Sequence, residues 1–430
     1  MAERTAPEVS GKRLLRHSLA SLVDQALLSG LNFALGLVLI RLATKESYGL
    51  YSQMYVAGIF ASTVLESLIT GPLTTIAPGK TESQRAHLIA CLHRFQWQLS
   101  ALLAILFGLA SIAVGHYAGV PESLPALGLA FAVYVFANAL REYQRSLNFI
   151  EGLPRRVLRI DLAYALAVAA GVALLLASGH FTVPGILLVL GLANAVGFWR
   201  NAGNRPAAAP PSVQEQRAAI TDMWRRGRWA LPGALVAWAT NYSYLYLAAA
   251  SLGLAASAEL NASRLLLMPI ALSVMAWSRI ARPMASRLFC ARDWKRLDRL
   301  AWVSVAGIEI VTILYVSLLW LALPWLEAHV LGAKYQGVEA MVLAWGAYFA
   351  INAARSIGSS LLTSNDQYRL LLASGVACLA VMLACAALFI PLYGAWGAIL
   401  ALIVVEVFDG ILIWAFFLPR VRRNASLAGT

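Results

Sequence analysis

The sequence predicts an all-α, polytopic membrane protein with about 12 transmembrane helices. Of its 430 residues, 60% are hydrophobic and only 13% are charged, whereas about one quarter of the residues in a soluble domain are charged. Twelve windows reach the length of about 20 mostly apolar residues that a helix needs to cross a bilayer. Basic loops alternate with loops that carry almost no Lys or Arg, as in chains that cross a membrane repeatedly.

The apolar segments are separated by polar connections, several of which contain Pro or Gly. The predicted membrane helices cover 19–40, 50–72, 95–118, 125–148, 158–178, 183–200, 228–251, 257–282, 300–323, 338–362, 370–392 and 394–418. The first segment is too long for the apolar core of a signal peptide and lacks a clear cleavage site, so we expect it to be retained. The four cysteines are not spaced as metal ligands, and we expect neither a metal site nor a disulfide framework.

The distribution of positive charge predicts the topology. Basic residues cluster at both termini and in the loops 73–94, 149–157, 201–227 and 283–299, with Arg41, Lys45 and Lys334 as exceptions on the other side. The positive-inside rule then places both termini in the cytoplasm and requires an even number of crossings. Most of the net charge of +13 is explained by this topology, and we expect no nucleic-acid partner.

An internal repeat divides the chain into two halves. We predict an N-terminal six-helix lobe over 1–200, a cytoplasmic linker over 201–227 and a C-terminal six-helix lobe over 228–430. Residues 131–159 and 345–373 align with eight identities in 29 positions. Because each half holds an even number of helices, the halves share one orientation, which predicts a pseudo-two-fold axis along the membrane normal and a central cleft.

The repeated positions predict a substrate-binding cavity. A Tyr-x3-Asn-x2-Arg pattern occurs in the fourth and tenth helices, and its spacings of four and three place the side chains on one helical stripe. Snorkelling of the arginines to the inner interface is the alternative interpretation. A further arginine in the eighth helix either lines the cavity or pairs with Glu259. The cavity candidates are Tyr134, Asn138, Arg141, Arg264, Tyr348, Asn352 and Arg355.

Acidic and amide side chains inside the predicted helices are candidates for ion coupling. Charged groups in hydrocarbon are costly, so they usually face a cavity or each other. Each of these residues could carry a proton or Na+, or could serve as a structural partner of an arginine. The candidates are Asp24, Gln25, Glu66, Asn241, Glu406 and Asp409.

The motifs that the sequence lacks also restrict its function. There is no Gly-x4-Gly-Lys-Ser/Thr phosphate loop and no His-Glu-x2-His pattern, so we expect neither an ATPase nor another enzyme. Transport would then be driven by an ion gradient or by the substrate gradient itself. We expect no cofactor other than a coupling proton or Na+.

Three stretches resemble motifs of one transporter family. The segment 41–52 resembles the Arg-x-Leu-x-Pro-x-x-(Tyr/Phe)-Gly turn between the first two helices of polysaccharide flippases, with Thr44 where Gly or Pro is frequent. Residues 330–337 resemble the family's Leu-Phe-Gly-x-x-Tyr loop. Residues 389–398 resemble its Ile-Pro-x-Tyr-Gly-x-x-Gly-Ala junction. The chain is thus similar to the Wzx-like flippases of the multidrug/oligosaccharidyl-lipid/polysaccharide exporter superfamily.

This resemblance implies a multi-pass protein of the bacterial cytoplasmic (inner) membrane that works by alternating access. It implies flipping of an undecaprenyl-pyrophosphate-linked oligosaccharide to the outer leaflet, for surface polysaccharide biosynthesis. The implied partners are the lipid-linked glycan, membrane lipids, and a polysaccharide polymerase with its export machinery. Arg141, Arg264 and Arg355 would contact the pyrophosphate, since guanidinium groups suit phosphate oxygens.

Two other hypotheses remain at this point. One is a cation-coupled multidrug exporter of the same fold, which would place acidic and aromatic side chains in the cavity. The other is a non-transporting scaffold in a polysaccharide assembly complex. The number of deep arginines argues against the exporter, and the polar stripes in both halves argue against the scaffold.

Overall fold

All regular secondary structure in the described residues is helical. The computed structural model describes residues 11–117, 119–120, 122–199, 210–335, 339–364 and 367–427. The first six helices are α1 (Gly11–Leu42), α2 (Lys45–Gly79), α3 (Glu82–Tyr117), α4 (Leu124–Ile150), α5 (Pro154–Ala177) and α6 (Val183–Trp199). The second six are α7 (Val213–Leu252), α8 (Leu254–Leu265 with Met268–Cys290), α9 (Trp294–Leu331), α10 (Glu339–Thr363), α11 (Tyr368–Tyr393) and α12 (395–427).

The predicted all-helical, polytopic fold with about 12 helices is confirmed. Eight of the helices are long and apolar enough to cross a bilayer, and α8, which bends by 54° between its two parts, would be a ninth. The other three are α6, with 17 residues, and α7 and α10, whose apolar stretches carry Asn241 and Arg355. The chain is therefore a multi-pass membrane protein.

Several helices extend well beyond their predicted bounds. Helix α3 has 36 residues and begins 13 positions before the predicted start at 95. At 1.5 Å per residue it is about 54 Å long, whereas the hydrocarbon core of a bilayer is about 30 Å thick. Hydropathy detects only the part of a helix that lies in hydrocarbon, so the polar extensions were missed.

The helices form two compact units. One unit, termed the N-terminal unit, comprises Met1–Leu35 and Met54–Ala234, and the other, the C-terminal unit, comprises Gly36–Gln53 and Leu235–Thr430. Of the predicted linker 201–227, residues 201–209 lie outside the described residues, whereas 213–227 are helical within α7. The predicted lobe boundaries stay a prediction.

Helix α4 forms the centre of the N-terminal unit, where it packs against α3 and α6. At the crossing of α3 and α4, a Cβ on Gly108 would lie 2.9 Å from the carbonyl oxygen of Gly128. Small residues allow membrane helices to approach this closely. This packing buries most of α4, including Arg141, which is 4% exposed.

The end of α1 and the start of α2 form a hairpin, Gly36–Gln53, that packs within the C-terminal unit. The side-chain amide of Asn261 donates hydrogen bonds to the Tyr48 hydroxyl at 3.0 Å and to Ser52 Oγ at 2.9 Å. Because Asn261 belongs to α8, these bonds attach the α1–α2 hairpin to that helix.

Two of the stretches that resemble transporter motifs, 41–52 and the described part of 330–337, contact each other at this hairpin. Lys334, between α9 and α10, donates a hydrogen bond to the carbonyl oxygen of Ala43. The Lys45 ammonium lies 5.4 Å from the centre of the Tyr335 ring. Burial lowers the pKa of Lys334, and the nearby Arg41 lowers it further. The motif residues of 41–52 and 330–335 thus form one structural contact.

Candidate functional site

A cluster of two arginines and three carboxylates lies in the N-terminal unit. Arg145 of α4 contacts all three acids, at 2.6 Å from Glu142, 2.7 Å from Asp161 and 3.1 Å from Asp24. Arg141 donates to Asp161 at 2.7 Å and to Glu142 at 3.0 Å. Asp161 is fully buried and Asp24 is 3% exposed. Charges buried this deeply are tolerated only when they are paired and hydrogen-bonded.

Three helices build this ion cluster. The spacing of four between Arg141 and Arg145 places both on one face of α4, whereas Asp24 comes from α1 and Asp161 from α5. The Arg141 guanidinium also stacks 3.9 Å from the centre of the Tyr164 ring. With two positive and three negative groups, the cluster has a formal charge of −1, so neither arginine is left as an uncompensated cation.

A cavity of about 410 Å³ adjoins the ion cluster. Its charged lining consists of Glu66, Arg141 and Glu142, one cation and two anions. Polar side chains supply most of the remaining lining: Asn32, Tyr55, Ser62, Thr63, Thr70, Thr74, Gln96, Tyr134, Asn138, Tyr143, Ser146 and Tyr164. The cavity of the N-terminal unit is therefore polar with a small excess of negative charge.

An irregular turn of α2 presents Glu66 to this cavity. Residues Glu66–Thr70 form one turn of π-helix, a conformation that is rare and is often found at functional sites. Glu66 is exposed, whereas the four residues after it are buried. Asn138 of α4 donates to Ser62 Oγ at 3.0 Å, one turn before Glu66. The structure thus brings four predicted site residues into the lining of one cavity, namely Glu66, Tyr134, Asn138 and Arg141.

The repeated arginine of the C-terminal unit is also paired. Arg355 Nε lies 2.8 Å from Glu406 Oε2 and 3.7 Å from Asp409 Oδ2. Asn352 donates its amide to Glu406 Oε1 at 2.9 Å. Glu406 is 6% exposed, so this carboxylate and Arg355 compensate each other inside the unit. Four predicted site residues therefore meet in one cluster between α10 and α12.

The two repeats keep the arginine but take its counter-ion from different helices. The repeat offset is 214, from Tyr134 to Tyr348. At that offset Asp161 of α5 corresponds to Gly375 of α11. The acid that pairs with Arg355 instead comes from α12. The Tyr-Asn-Arg stripe is thus common to both units, whereas its neutralisation is not.

Arg264 differs from both repeated arginines. Its Nη1 donates to the Tyr244 hydroxyl at 2.8 Å, and its guanidinium lies 5.5 Å from the centre of the Trp345 ring and 5.8 Å from that of Tyr242. No carboxylate of the described residues pairs with it, because Glu259 pairs with Lys45. Its Nε is buried and has no hydrogen-bond partner in the described part of the chain.

The remaining predicted residues, Gln25, Asn241 and Tyr348, lie apart from these clusters or contribute by packing. Gln25 donates to Ser29 on its own helix at 3.4 Å. Asn241 likewise donates to the carbonyl oxygen of Ala237 at 2.8 Å. Tyr348 is 2% exposed. The substrate and coupling roles assigned to all these residues stay predictions.

Sequence reasoning missed three residues of the ion cluster, namely Glu142, Arg145 and Asp161. A signal for Arg145 was present, since Arg141 and Arg145 are spaced by four on a helix that already carried the repeat. Two buried cations require nearby anions, and Asp161 follows the start of α5 by seven residues. The repeat search passed over all three because none of them recurs in the second half.

Comparison with known proteins identifies the fold. No family model matches the chain, and no curated protein is similar to it in sequence. The lipid II flippase MurJ in an inward closed conformation superimposes with a TM-score of 0.70 at 12% identity, over 93% of this chain and 86% of that chain. A MOP superfamily transporter from Pyrococcus furiosus gives a TM-score of 0.67 at 13% identity, over 97% and 96%.

A MATE transporter is also similar in structure. A variant of the Vibrio cholerae MATE transporter VcmN superimposes with a TM-score of 0.64 at 16% identity, over 97% of both chains. The chain therefore has the twelve-helix fold of MOP superfamily transporters. The structural neighbours include both a lipid flippase and MATE transporters, so the fold alone does not separate these activities.

Proposed function

We propose that the protein is a secondary transporter of the bacterial inner membrane that flips a polyprenyl-pyrophosphate-linked oligosaccharide to the outer leaflet. Both termini would lie in the cytoplasm, in accord with the basic loops. The MurJ flippase shares the fold, which supports a lipid-linked substrate without identifying it. The observation that carries the proposal is Arg264, an arginine within α8 whose guanidinium has no carboxylate partner among the described residues and whose Nε is buried without a hydrogen bond.

The position of Arg264 suits a phosphate ligand. It lies in the last turn before the bend of α8, and transporters place binding sites at such interrupted helices. The aromatic side chains of Tyr242, Tyr244 and Trp345 surround the guanidinium. With Nε lacking a partner, the group can donate to a phosphate oxygen in a charge-assisted contact. Arg141 and Arg355 act in this proposal as structural cations, because carboxylates already pair with them.

We expect Arg264→Gln to lower kcat/KM for flipping by about 10- to 100-fold. This factor corresponds to the loss of one hydrogen bond to a charged group, which contributes about 1.5–3 kcal/mol. Arg264→Lys should retain part of the activity, because it keeps the charge but not the planar fork. The assay measures loss of protected fluorescence from a labelled polyprenyl-pyrophosphate glycan in vesicles. Arg226→Gln, at an exposed arginine of α7, is the matched control. Flipping by Arg264→Gln at the wild-type rate would refute the assignment.

A second candidate function is export of a cationic compound, and one observation favours it. The cavity of the N-terminal unit carries Glu66 and Glu142 against the single cation Arg141, and aromatic tyrosines line it as well. Anionic and aromatic groups together favour a cationic ligand. If this function is correct, vesicles should accumulate a cationic dye in response to an ion gradient, and Glu66→Gln should weaken that accumulation.

A further inference from the structure

A basic groove lies between α8 and α9 of the C-terminal unit, away from the ion clusters. It encloses about 500 Å³. Three arginines form one part of its wall, namely Arg287, Arg296 and Arg299, and apolar side chains, including Met284, Leu288 and Val303, form the rest. None of these residues belongs to the proposed transport sites.

A tight turn brings the two helices together at this groove. The backbone amides of residues 291–293 donate to carbonyl oxygens in the last turn of α8, at 2.9–3.0 Å. The Asp293 carboxylate then accepts from the backbone amide of Arg296 at 3.1 Å and caps α9. This turn places Arg287, near the end of α8, beside the first turns of α9. The groove is thus fixed by the backbone and does not depend on a mobile loop.

The arginines at the groove are available for an anion. All three are exposed, and Arg296 makes only a 3.4 Å contact with Asp293, at 78% exposure of its side chain. No carboxylate in the described part of the chain pairs with Arg287 or Arg299. The three arginines have one carboxylate partner among the described residues, Asp293, and its contact with Arg296 is long and exposed. The groove therefore carries a local excess of positive charge.

The apolar part of the groove lies deeper along the helices. Val303 follows Arg299 by one turn, about 6 Å at 1.5 Å per residue. Val303 is 63% exposed and Met284 is 46% exposed, which is the exposure expected of side chains that face lipid. Neighbouring Ala285, Leu297 and Ala301 are buried in the helix packing, so the groove occupies the outer side of this helix pair.

We infer that this groove binds a phospholipid with an anionic head group. The arginines would contact the phosphate, and the acyl chains would lie along the apolar side chains. By the positive-inside rule, the basic segment 283–299 would place this end of the helices at the cytoplasmic leaflet. Anionic lipids of that leaflet attract clustered Lys and Arg, and basic pockets between membrane helices bind such head groups. A soluble anion would use the arginines but would leave the apolar wall uncovered.

Native mass spectrometry of the full chain in maltoside detergent tests the site, with phosphatidylglycerol and phosphatidylcholine of identical acyl chains as probes. Wild type should retain phosphatidylglycerol preferentially. The variant R287Q/R296Q/R299Q should bind it about tenfold or more weakly, since each basic residue near an anionic surface strengthens binding several-fold. Phosphatidylcholine binding should not change.

The matched control R217Q/R225Q/R226Q removes the same charge from the exposed start of α7, where Arg226 has an acidic partner four residues earlier. It should keep wild-type phosphatidylglycerol binding. If the groove variant does not fold, Val303→Trp, which fills the apolar wall, should weaken phosphatidylglycerol binding by a similar factor. Equal losses in the groove and control variants would overturn the inference, as would undiminished binding in the groove variants. Full displacement of the lipid by inorganic phosphate at equal concentration would also overturn it.

Discussion

Replacement of Arg145 with methionine is expected to lower the free energy of unfolding by about 3–5 kcal/mol, the cost of removing one partner from a buried ion pair. The variant would leave Asp24, Glu142 and Asp161 with Arg141 as their single cation. Methionine is of similar length, so loss of packing contributes little. The measurement is unfolding in mixed detergent micelles. We expect Arg145→Lys to lose less, because it retains a charge near the three acids.

The matched control for this substitution is Arg226→Met. Arg226 Nε lies 3.5 Å from Asp222, but the two side chains are 53% and 51% exposed. Exposed pairs of this kind contribute at most about 1 kcal/mol. Similar losses in Arg145→Met and Arg226→Met would show that the ion cluster does not stabilise the N-terminal unit. Because the cluster joins α1, α4 and α5, we expect its loss to separate α1 from the unit first.

Replacement of Gly49 with alanine is expected to cost about 3 kcal/mol of stability, at the upper end of the range for overpacking. A Cβ at this position would lie 2.0 Å from the carbonyl oxygen of Leu254. The atom that it meets belongs to the backbone at the start of α8, so no side-chain rotation relieves the clash. The α1–α2 hairpin would have to move away from α8, and the hydrogen bonds from Asn261 to Tyr48 and Ser52 would be lost.

Gly30→Ala in α1 is the control for Gly49→Ala. Apart from its own and neighbouring residues and the nearby backbone of α1, no described atom lies within 4 Å of the position that its Cβ would occupy. Alanine is the better helix former, so we expect a change of less than about 1 kcal/mol in the stabilising direction. Unfolding midpoints of both variants, measured in the same detergent, check the pair. A wild-type midpoint for Gly49→Ala would contradict the close contact between the hairpin and α8.

Hydropathy and loop charge were sufficient to predict the fold class. Because every apolar stretch that crosses the bilayer needs a similar length, the hydropathy pattern along the chain predicted twelve helices. The helix ends could not be predicted in this way, because the polar turns at the start of α3 and α7 lie outside hydrocarbon and carry no apolar signal. The repeat pointed to Arg141 and Arg355 as cavity residues. In the structure both are paired with carboxylates, and their role in binding a substrate stays a prediction.

The surroundings of Arg264 could not be predicted from the sequence. Glu259 lies five residues before Arg264, and a local ion pair was a reasonable alternative. In the structure Glu259 pairs with Lys45, 214 residues away in the chain. Only the packing of the α1–α2 hairpin on α8 brings these two side chains together. Arg264 lies instead among aromatic rings of α7 and α10, an environment that no spacing rule indicates.

The central claim is that the substrate is an anionic, lipid-linked glycan. The most direct measurement reconstitutes the purified wild-type protein in vesicles and follows two probes in parallel, a fluorescent polyprenyl-pyrophosphate oligosaccharide and a cationic dye. We predict that the lipid-linked probe crosses between leaflets faster than in protein-free vesicles and that the dye does not accumulate. Gradient-driven accumulation of the dye, with no acceleration of the lipid-linked probe, would contradict the claim and favour the cation exporter.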